Sequence, residues 1–277
     1  MTRQYLNVRA LLREHGLQPK KSLGQNFLID PNGLDKVMLA AGVSQEDTVL
    51  EIGAGLGSLT VLLAQAASQV VAVEIDRNLI SPLTKVLGPY QNVRLVEGDV
   101  LKLPLEELLP AEGYLVVANI PYYISSAIIR RLLEAKTRPT RVVLTIQQEV
   151  AERICAKDGK LSLLALSVQV FGLPSVEARI PAGSFYPIPD VDSAVLSITL
   201  HPQPLIALEE LDDFFKLAHA GFSQKRKTLR NALASGLGLP TDKVENLLRS
   251  AGIDAQRRAE TLSIEEWGRL TTVWKHE

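Results

Sequence analysis

The stretch Thr48-Val49-Leu50-Glu51-Ile52-Gly53-Ala54-Gly55-Leu56-Gly57 decides the fold. A short apolar run passes into three glycines spaced G-x-G-x-G, and an apolar helical pattern follows over 58–67. Glycine lets the backbone turn sharply and come close to a ligand. Strand, glycine turn and helix in this order open a parallel α/β unit with room for a ligand at the turn. A dinucleotide pyrophosphate favours G-x-G-x-x-G at such a place. Here the spacing differs and Glu51 precedes the loop. A carboxylate there suits a ligand carrying an ammonium and a sulfonium better than one carrying phosphates. Taken alone, the loop reads equally well as turn geometry.

Downstream, the same alternation continues. Strands are expected at 69–75, 93–97, 114–119 and 141–147, and helices at 77–87 and 125–135. The strands are rich in Val, Ile and Leu without clean alternation, as strands buried on both faces are. The expected architecture is a mostly parallel sheet with helices on both faces. Residues 161–171 read as a further helix, and 175–180 with 192–200 as two late strands forming an antiparallel, hairpin-like unit.

Upstream, Tyr5, Val8, Leu11 and Leu12 mark one face of a helix over 2–15, which Gly16 ends. A loop over Pro19–Asp30 follows, and Asp30 caps a helix with Pro31 at its first position. Past His201, Pro202 and Pro204 mark a linker, and the remainder reads as helices only, with Ser263-x-x-Glu266 as a capping box. Two domains are expected, an α/β domain over 1–201 and a small all-α domain over 202–277.

The carboxyl ends of the expected strands carry polar groups: Glu74 on the second, Gly98-Asp99 on the third and Asn119 on the fourth. Such ends build one crevice in an open parallel sheet. Glu74 can accept from ribose hydroxyls, and Asp99 can accept from an adenine amine. Either acid alone could be a helix cap, but strand-end polar groups in register make a shared site the better reading. Asn119-Ile120-Pro121-Tyr122 adds a socket for a flat base with an exocyclic amine. The Asn119 carbonyl and the backbone carbonyls around Pro121 are acceptors, and Tyr122 offers a ring face.

Composition bounds the rest. The 277 residues are 46% hydrophobic, and 30 Lys plus Arg against 31 Asp plus Glu give a net charge of −1. The charge is uneven: Arg3, Arg9, Arg13, Lys20 and Lys21 cluster near the start, and Lys225, Arg226, Lys227 and Arg230 lie together without an acid. Local basic patches matter more to a polyanion than the total. One cysteine, Cys155, excludes an intrachain disulfide and a multi-cysteine zinc site, and the four histidines fall in no ligand spacing. No bound metal, no membrane span and a reducing cytoplasmic location are expected.

Together, G-x-G-x-G, Glu74, Asp99 and N-I-P-Y resemble a class I S-adenosylmethionine-dependent methyltransferase acting on an adenine amine. The segment Lys21–Leu28 resembles the N-terminal donor-binding segment of the ribosomal RNA adenine dimethylase superfamily. Residues 185–195 resemble its late proline-rich loop, and Lys227-Thr228-Leu229-Arg230-Asn231 its KsgA (RsmA) branch. Ala127, Gln148 and Ser223-Gln224 depart from the family pattern.

The resemblance implies N6,N6-dimethylation of two adjacent adenosines near the 3′ end of small-subunit ribosomal RNA, on an assembling subunit, by a monomer. It implies that Asn26 and Leu28, with Gln25 beside them, contact S-adenosyl-L-methionine. It also places Gly53 at the methionine moiety, Glu74 at the ribose and Asp99 at the adenine, with Glu51 and Gly55 among the residues that bind the donor. Asn119 would border donor and acceptor. Asn119, Pro121 and Tyr122 form the catalytic set, with Tyr122 and Phe185 stacking on the extruded base. Phe185 also reads as a loop anchor, and Tyr123 as core. A basic helix start at Lys225, Arg226, Lys227 and Arg230 would hold RNA phosphates, extended by Arg130, Arg131, Lys136, Arg138 and Arg141. Rival readings are a large-subunit dimethylase of the antibiotic-resistance type and a non-catalytic RNA-binding biogenesis factor.

Overall fold

The computed structural model describes residues 5–109, 113–157 and 159–276. The strands are β1 Phe27–Leu28, β2 Thr48–Ile52, β3 Gln69–Glu74, β4 Val93–Glu97, β5 Leu115–Asn119, β6 Arg141–Gln147, β7 Gly172–Ile180, β8 Phe185–Tyr186 and β9 Ser193–Leu200. The first eight helices are α1 Val8–Glu14, α2 Pro31–Ala41, α3 Ser58–Ala66, α4 Arg77–Leu87, α5 Leu105–Leu108, α6 Ser125–Leu133, α7 Gln148–Ile154 and α8 Leu163–Gln169. Four more follow: α9 Leu211–Phe222, α10 Leu229–Leu237, α11 Thr241–Ser250 and α12 Ile264–Lys275.

Seven strands form one sheet in the order β4-β3-β2-β5-β6-β9-β7. The pairs β2–β3, β3–β4, β2–β5 and β5–β6 are parallel. Strand β9 runs antiparallel to β6 over seven residues, from Arg141 opposite Thr199 to Gln147 opposite Ser193. The chain winds outward from β2 through β3 to β4, then returns to the other side at β5. The order therefore reverses between β2 and β5, where such sheets open a crevice beyond the strand carboxyl ends. Val49, Leu50, Val70, Ala72, Val116, Val117 and Leu144 are fully buried, which explains the continuous apolar runs in sequence.

The first helix is shorter than the expected 2–15. It begins at Val8 because the Asn7 side chain accepts from Ala10 N at 3.0 Å and caps it. Residues 2–4 of the expected helix, with Arg3, lie outside the described residues. Asp30 caps α2 by accepting from Asn32 N, with Pro31 in the first turn. Strand β7 lies beside β9 at the sheet edge, so the late strands are neighbours, and β9 also pairs with β6.

The chain divides into two compact units, Met1–Ala151 with Pro174–Leu200, and Glu152–Leu173 with His201–Glu277. Residues 152–173, expected with the sheet, belong to the helical unit. Their backbone and side chains bond within it: Leu161 N donates to Glu260 O, His201 N to Phe171 O and Leu205 N to Val170 O. In that unit Trp267 is fully buried and stacks on Phe222 with ring centroids 5.8 Å apart. The Ser263/Glu266 capping box forms and starts α12. Glu266 also holds Arg257, which keeps its carboxyl below the usual carboxylate range.

Candidate active site at the strand ends

The sheet unit opens into a cleft at the carboxyl ends of β2, β3, β4 and β5. Its wall includes Gly53 and Gly55 from the loop after β2, Glu74 and Ile75 after β3, Gly98 and Asp99 after β4, and Asn119–Tyr122 after β5. Leu23–Phe27 form the facing wall. Every charged side chain on this wall is acidic. That distribution disfavours a pyrophosphate and favours a cationic ligand.

Gly53, Gly55 and Gly57 all adopt positive φ, at 75°, 61° and 92°. At Gly55 a Cβ would lie 3.0 Å from the Phe27 ring, so only glycine lets the loop meet the facing wall without a shift. Glu74 Oε2 accepts from Gly55 N at 2.7 Å, and Oε1 accepts from Asp76 N at 2.7 Å. The carboxylate thus braces the glycine loop. Each of its oxygens keeps acceptor capacity for a hydroxyl. Burial raises the Glu74 pKa against the two backbone donors.

Asn119 closes the other side. Its Nδ2 donates to the Asn26 backbone carbonyl at 2.9 Å. With the amide hydrogens directed to the facing wall, Oδ1 is left as an acceptor. Asn26 therefore enters the site through its main chain, while its side chain donates only weakly to Gly24 O at 3.4 Å. Pro121 O accepts from Ile124 N at 3.3 Å. The Tyr122 hydroxyl lies 2.7 Å from Ser193 Oγ on β9, and burial raises its pKa.

Gln25 is a clasp. Its Oε1 accepts from Lys20 N at 2.7 Å and its Nε2 donates to Asp76 at 2.8 Å. Lys20 Nζ lies 2.6 Å from the other oxygen of Asp76. Burial works to raise the Asp76 pKa, but Lys20 and Gln25 hold it below its ordinary value. Asp99 caps its own turn through Leu101 N at 3.0 Å and lines the cleft.

Several expected site residues lie elsewhere. Glu51 forms no lip; it is buried, and lines a smaller cavity behind the glycine loop with Leu28, Leu34 and Ser58. Burial, helped by the Glu74 charge and opposed by the Thr60 hydroxyl, pushes its pKa up to about 8. Leu28 points into the core. In the antiparallel pair β1–β8, Leu28 stands opposite Phe185 and Phe27 opposite Tyr186. Alternation then sends Phe27 to the cleft and Leu28 with Phe185 to the core. Phe185 is fully buried and off the cleft wall, which corrects the stacking role and leaves it a loop anchor. Tyr123, expected in the core, is 64% exposed.

The basic residues divide. Lys225, Arg226 and Lys227 are exposed, on the turn before α10 rather than on its first turn. Arg230 pairs with Glu245 at 2.9 Å. In the sheet unit Arg131 donates to Val100 O and Leu103 O, and Arg141 to Ala41 O. Arg130 pairs with Glu134 at 2.9 Å. These three hold local structure.

Sequence reasoning missed the apolar lining, chiefly Leu23, Phe27, Ile75 and Leu79. Ile75 is 50% exposed beside Glu74, and an isoleucine just past a strand-end acid was the available signal. Ser193 and Asp76 were also missed, because their partners lie 71 and 51 residues away.

Among solved structures, a dimethyladenosine transferase from Plasmodium falciparum matches with a TM-score of 0.77 and 28% identity, covering 89% of this chain and 96% of that one. The 23S rRNA methyltransferase ErmE matches with a TM-score of 0.72 and 28% identity, covering 90% and 100%. The fold is that of the Rossmann-like methyltransferases.

Residues 16–275 match the family model for ribosomal RNA adenine dimethylase, and the chain belongs to that family. Relatives named ribosomal RNA small subunit methyltransferase A include one from Dehalococcoides mccartyi strain CBDB1, 48% identical over 95% of this chain and 91% of its own length. Another, from Moorella thermoacetica, is 45% identical over 96% of both chains.

Proposed function

We propose that the protein transfers methyl groups from S-adenosyl-L-methionine to N6 of two adjacent adenosines near the 3′ end of small-subunit ribosomal RNA, giving N6,N6-dimethyladenosine during subunit assembly. The relatives named for small-subunit RNA support that choice of subunit. The observation that carries the chemistry is Asn119, an amide tied by its N–H to Asn26 O in a cleft whose charged groups are all acidic.

The cleft fits the donor. Glu74 would hold the ribose hydroxyls, Asp99 the adenine amine, Ile75 the adenine face and Gly53 the methionine moiety. A Cβ at Gly53 would meet only Asn119 O, at 3.7 Å, so the loop approaches the socket closely. When bound, the donor supplies a methyl group activated by its sulfonium. Glu51 would act from behind the loop rather than by contact.

An adenine amine is a weak nucleophile because its lone pair is delocalised into the ring. Asn119 Oδ1 accepts one amine hydrogen, and the Ile120 or Pro121 carbonyl accepts the other. Held this way, the nitrogen is drawn toward a pyramidal shape with its lone pair free. Orientation of this kind is worth about 7–11 kcal/mol of barrier at its best. The tethered Asn119 costs no reorganisation as the reaction proceeds. After transfer the nitrogen releases its proton to water. The Tyr122 hydroxyl is committed to Ser193, so the ring face serves the extruded base. Lys225, Arg226 and Lys227 would hold phosphates without reading sequence. A reducing cytoplasm, where subunits assemble, fits the single cysteine.

The test is to incubate the protein and methyl-labelled donor with small subunits lacking the modification, large subunits and naked RNA. Label in adenine of the small-subunit RNA is expected. Label confined to large subunits, or none, overturns the reading.

A further inference from the structure

Tyr123 is the one large aromatic ring the sequence placed in the core and the structure places outside. Its two chain neighbours, Tyr122 and Ile124, line the cleft, while Tyr123 itself does not. It sits in the short turn Tyr122–Ile124 with 64% of its surface exposed. One edge of its ring rests on Gly24. A Cβ at Gly24 would come within 3.0 Å of Tyr123 Cε1 and 3.1 Å of Pro121 Cβ. Gly24 has a φ of 60°, so glycine is doubly required there. Gly24 and Pro121 both line the cleft. The ring thus lies against Gly24, next to residues that line the socket, and most of the residue faces solvent.

An exposed tyrosine alone means little. Its place at this socket gives it meaning. A base drawn out of its stack brings the nucleotides beside it to the socket's rim, and they have lost a stacking neighbour. An aromatic ring accepts any base on its face. We propose that Tyr123 is a second base site, a platform on which the base adjoining the target stacks while the target occupies the Asn119 socket. The inference rests on the proposed RNA adenine methylation. With two adjacent adenosines as targets, the platform holds one while the socket holds the other.

A purely structural role, shielding Gly24, makes a different prediction. Tyr123→Leu keeps an apolar cover over Gly24 and removes the ring, whereas Tyr123→Phe and Tyr123→Trp keep a ring. The measurements are KM and kcat for small subunits lacking the modification, and donor affinity by calorimetry without RNA. Tyr123→Leu should raise the subunit KM by about 5- to 100-fold, the effect of one lost base stack, with donor affinity unchanged. Tyr123→Phe and Tyr123→Trp should stay near the wild-type KM. A wild-type KM in Tyr123→Leu, or a matching loss of donor affinity, overturns the platform. Failure of the wild-type protein to methylate small subunits overturns the proposed function instead.

Discussion

Asn119 Nδ2 donates to the backbone carbonyl of Asn26 at 2.9 Å, across 93 residues of sequence. The bond joins the end of β5 to the segment that forms the opposite wall of the cleft. It does two things at once. It selects one of the two amide orientations, so that the oxygen is the free end, and it holds the wall in place. A side chain that is correctly aimed before substrate arrives contributes more than one that must be ordered on binding.

Glu74 braces the glycine loop through Gly55 N and Asp76 N. In Glu74→Ala both N–H groups lose their partner, and so would the ribose hydroxyls. Donor affinity should fall by about 10- to 100-fold, on the scale of one or two lost charge-assisted hydrogen bonds. Calorimetric titration measures it. Affinity within twofold of wild type would remove Glu74 from the donor site.

Glu51 makes stability depend on pH. Its folded pKa is about 8, against an ordinary value of 4.5. Between these values the folded state binds more protons than the unfolded, so stability falls as pH rises. The contribution is fully present below about pH 4.5 and lost as pH passes through about 8. Each pKa unit corresponds to about 1.4 kcal/mol, so the total is a few kcal/mol at most. Denaturation midpoints should decline from pH 5 to pH 8, and Glu51→Gln should flatten that decline. Equal slopes in both proteins would refute the assignment.

Tyr122 and Ser193 separate ring from hydroxyl. Tyr122→Phe leaves the buried Ser193 hydroxyl without its partner and should cost about 1–3 kcal/mol of stability. Methyl transfer should fall by only a few fold, since the ring remains. Tyr122→Ala should lose about 10- to 100-fold in kcat/KM from the missing stack. Urea unfolding and initial rates read the two effects; a large rate loss in Tyr122→Phe would give the hydroxyl a chemical role.

Gly236 on α10 faces Ala220 on α9. A Cβ at Gly236 would lie 2.7 Å from Ala220 Cα and Cβ, a backbone contact that cannot rotate away. Alanine in a helix interior normally stabilises by about 1 kcal/mol over glycine. Here overpacking wins, and Gly236→Ala should destabilise by about 1–3 kcal/mol. A rise in Tm would contradict the packing.

Much of this was legible in the chain. The sheet was readable because strands buried on both faces are runs of Val, Leu and Ile, and because glycines punctuate the first turn. The positions Glu74, Asp99 and Asn119 were readable because parallel strands bring their carboxyl ends together. What the chain hid depends on register and distant partners. Phe185 and Tyr186 are adjacent aromatics, and only the pairing of Leu28 with Phe185 tells which faces the core. Glu51 looked like a lip because its strand position was clear and its facing was not. Gln25 lines the cleft, and the chain did not show that its amide also clasps Lys20 and Asp76. Residues 152–173 looked like part of the sheet unit, and long-range backbone bonds such as Leu161 N to Glu260 O place them in the other.

The most direct measurement concerns Asn119. Small subunits lacking the modification are incubated with wild type and Asn119→Ala, and N6-methylated adenosines are quantified by mass spectrometry of the digested RNA. Wild type should yield N6,N6-dimethyladenosine. Asn119→Ala, folded as judged by circular dichroism, should be slower by about 10²- to 10³-fold, the usual cost of removing one preorganised polar group from a reacting centre. Dimethyladenosine formed by folded Asn119→Ala at the wild-type rate would contradict the account.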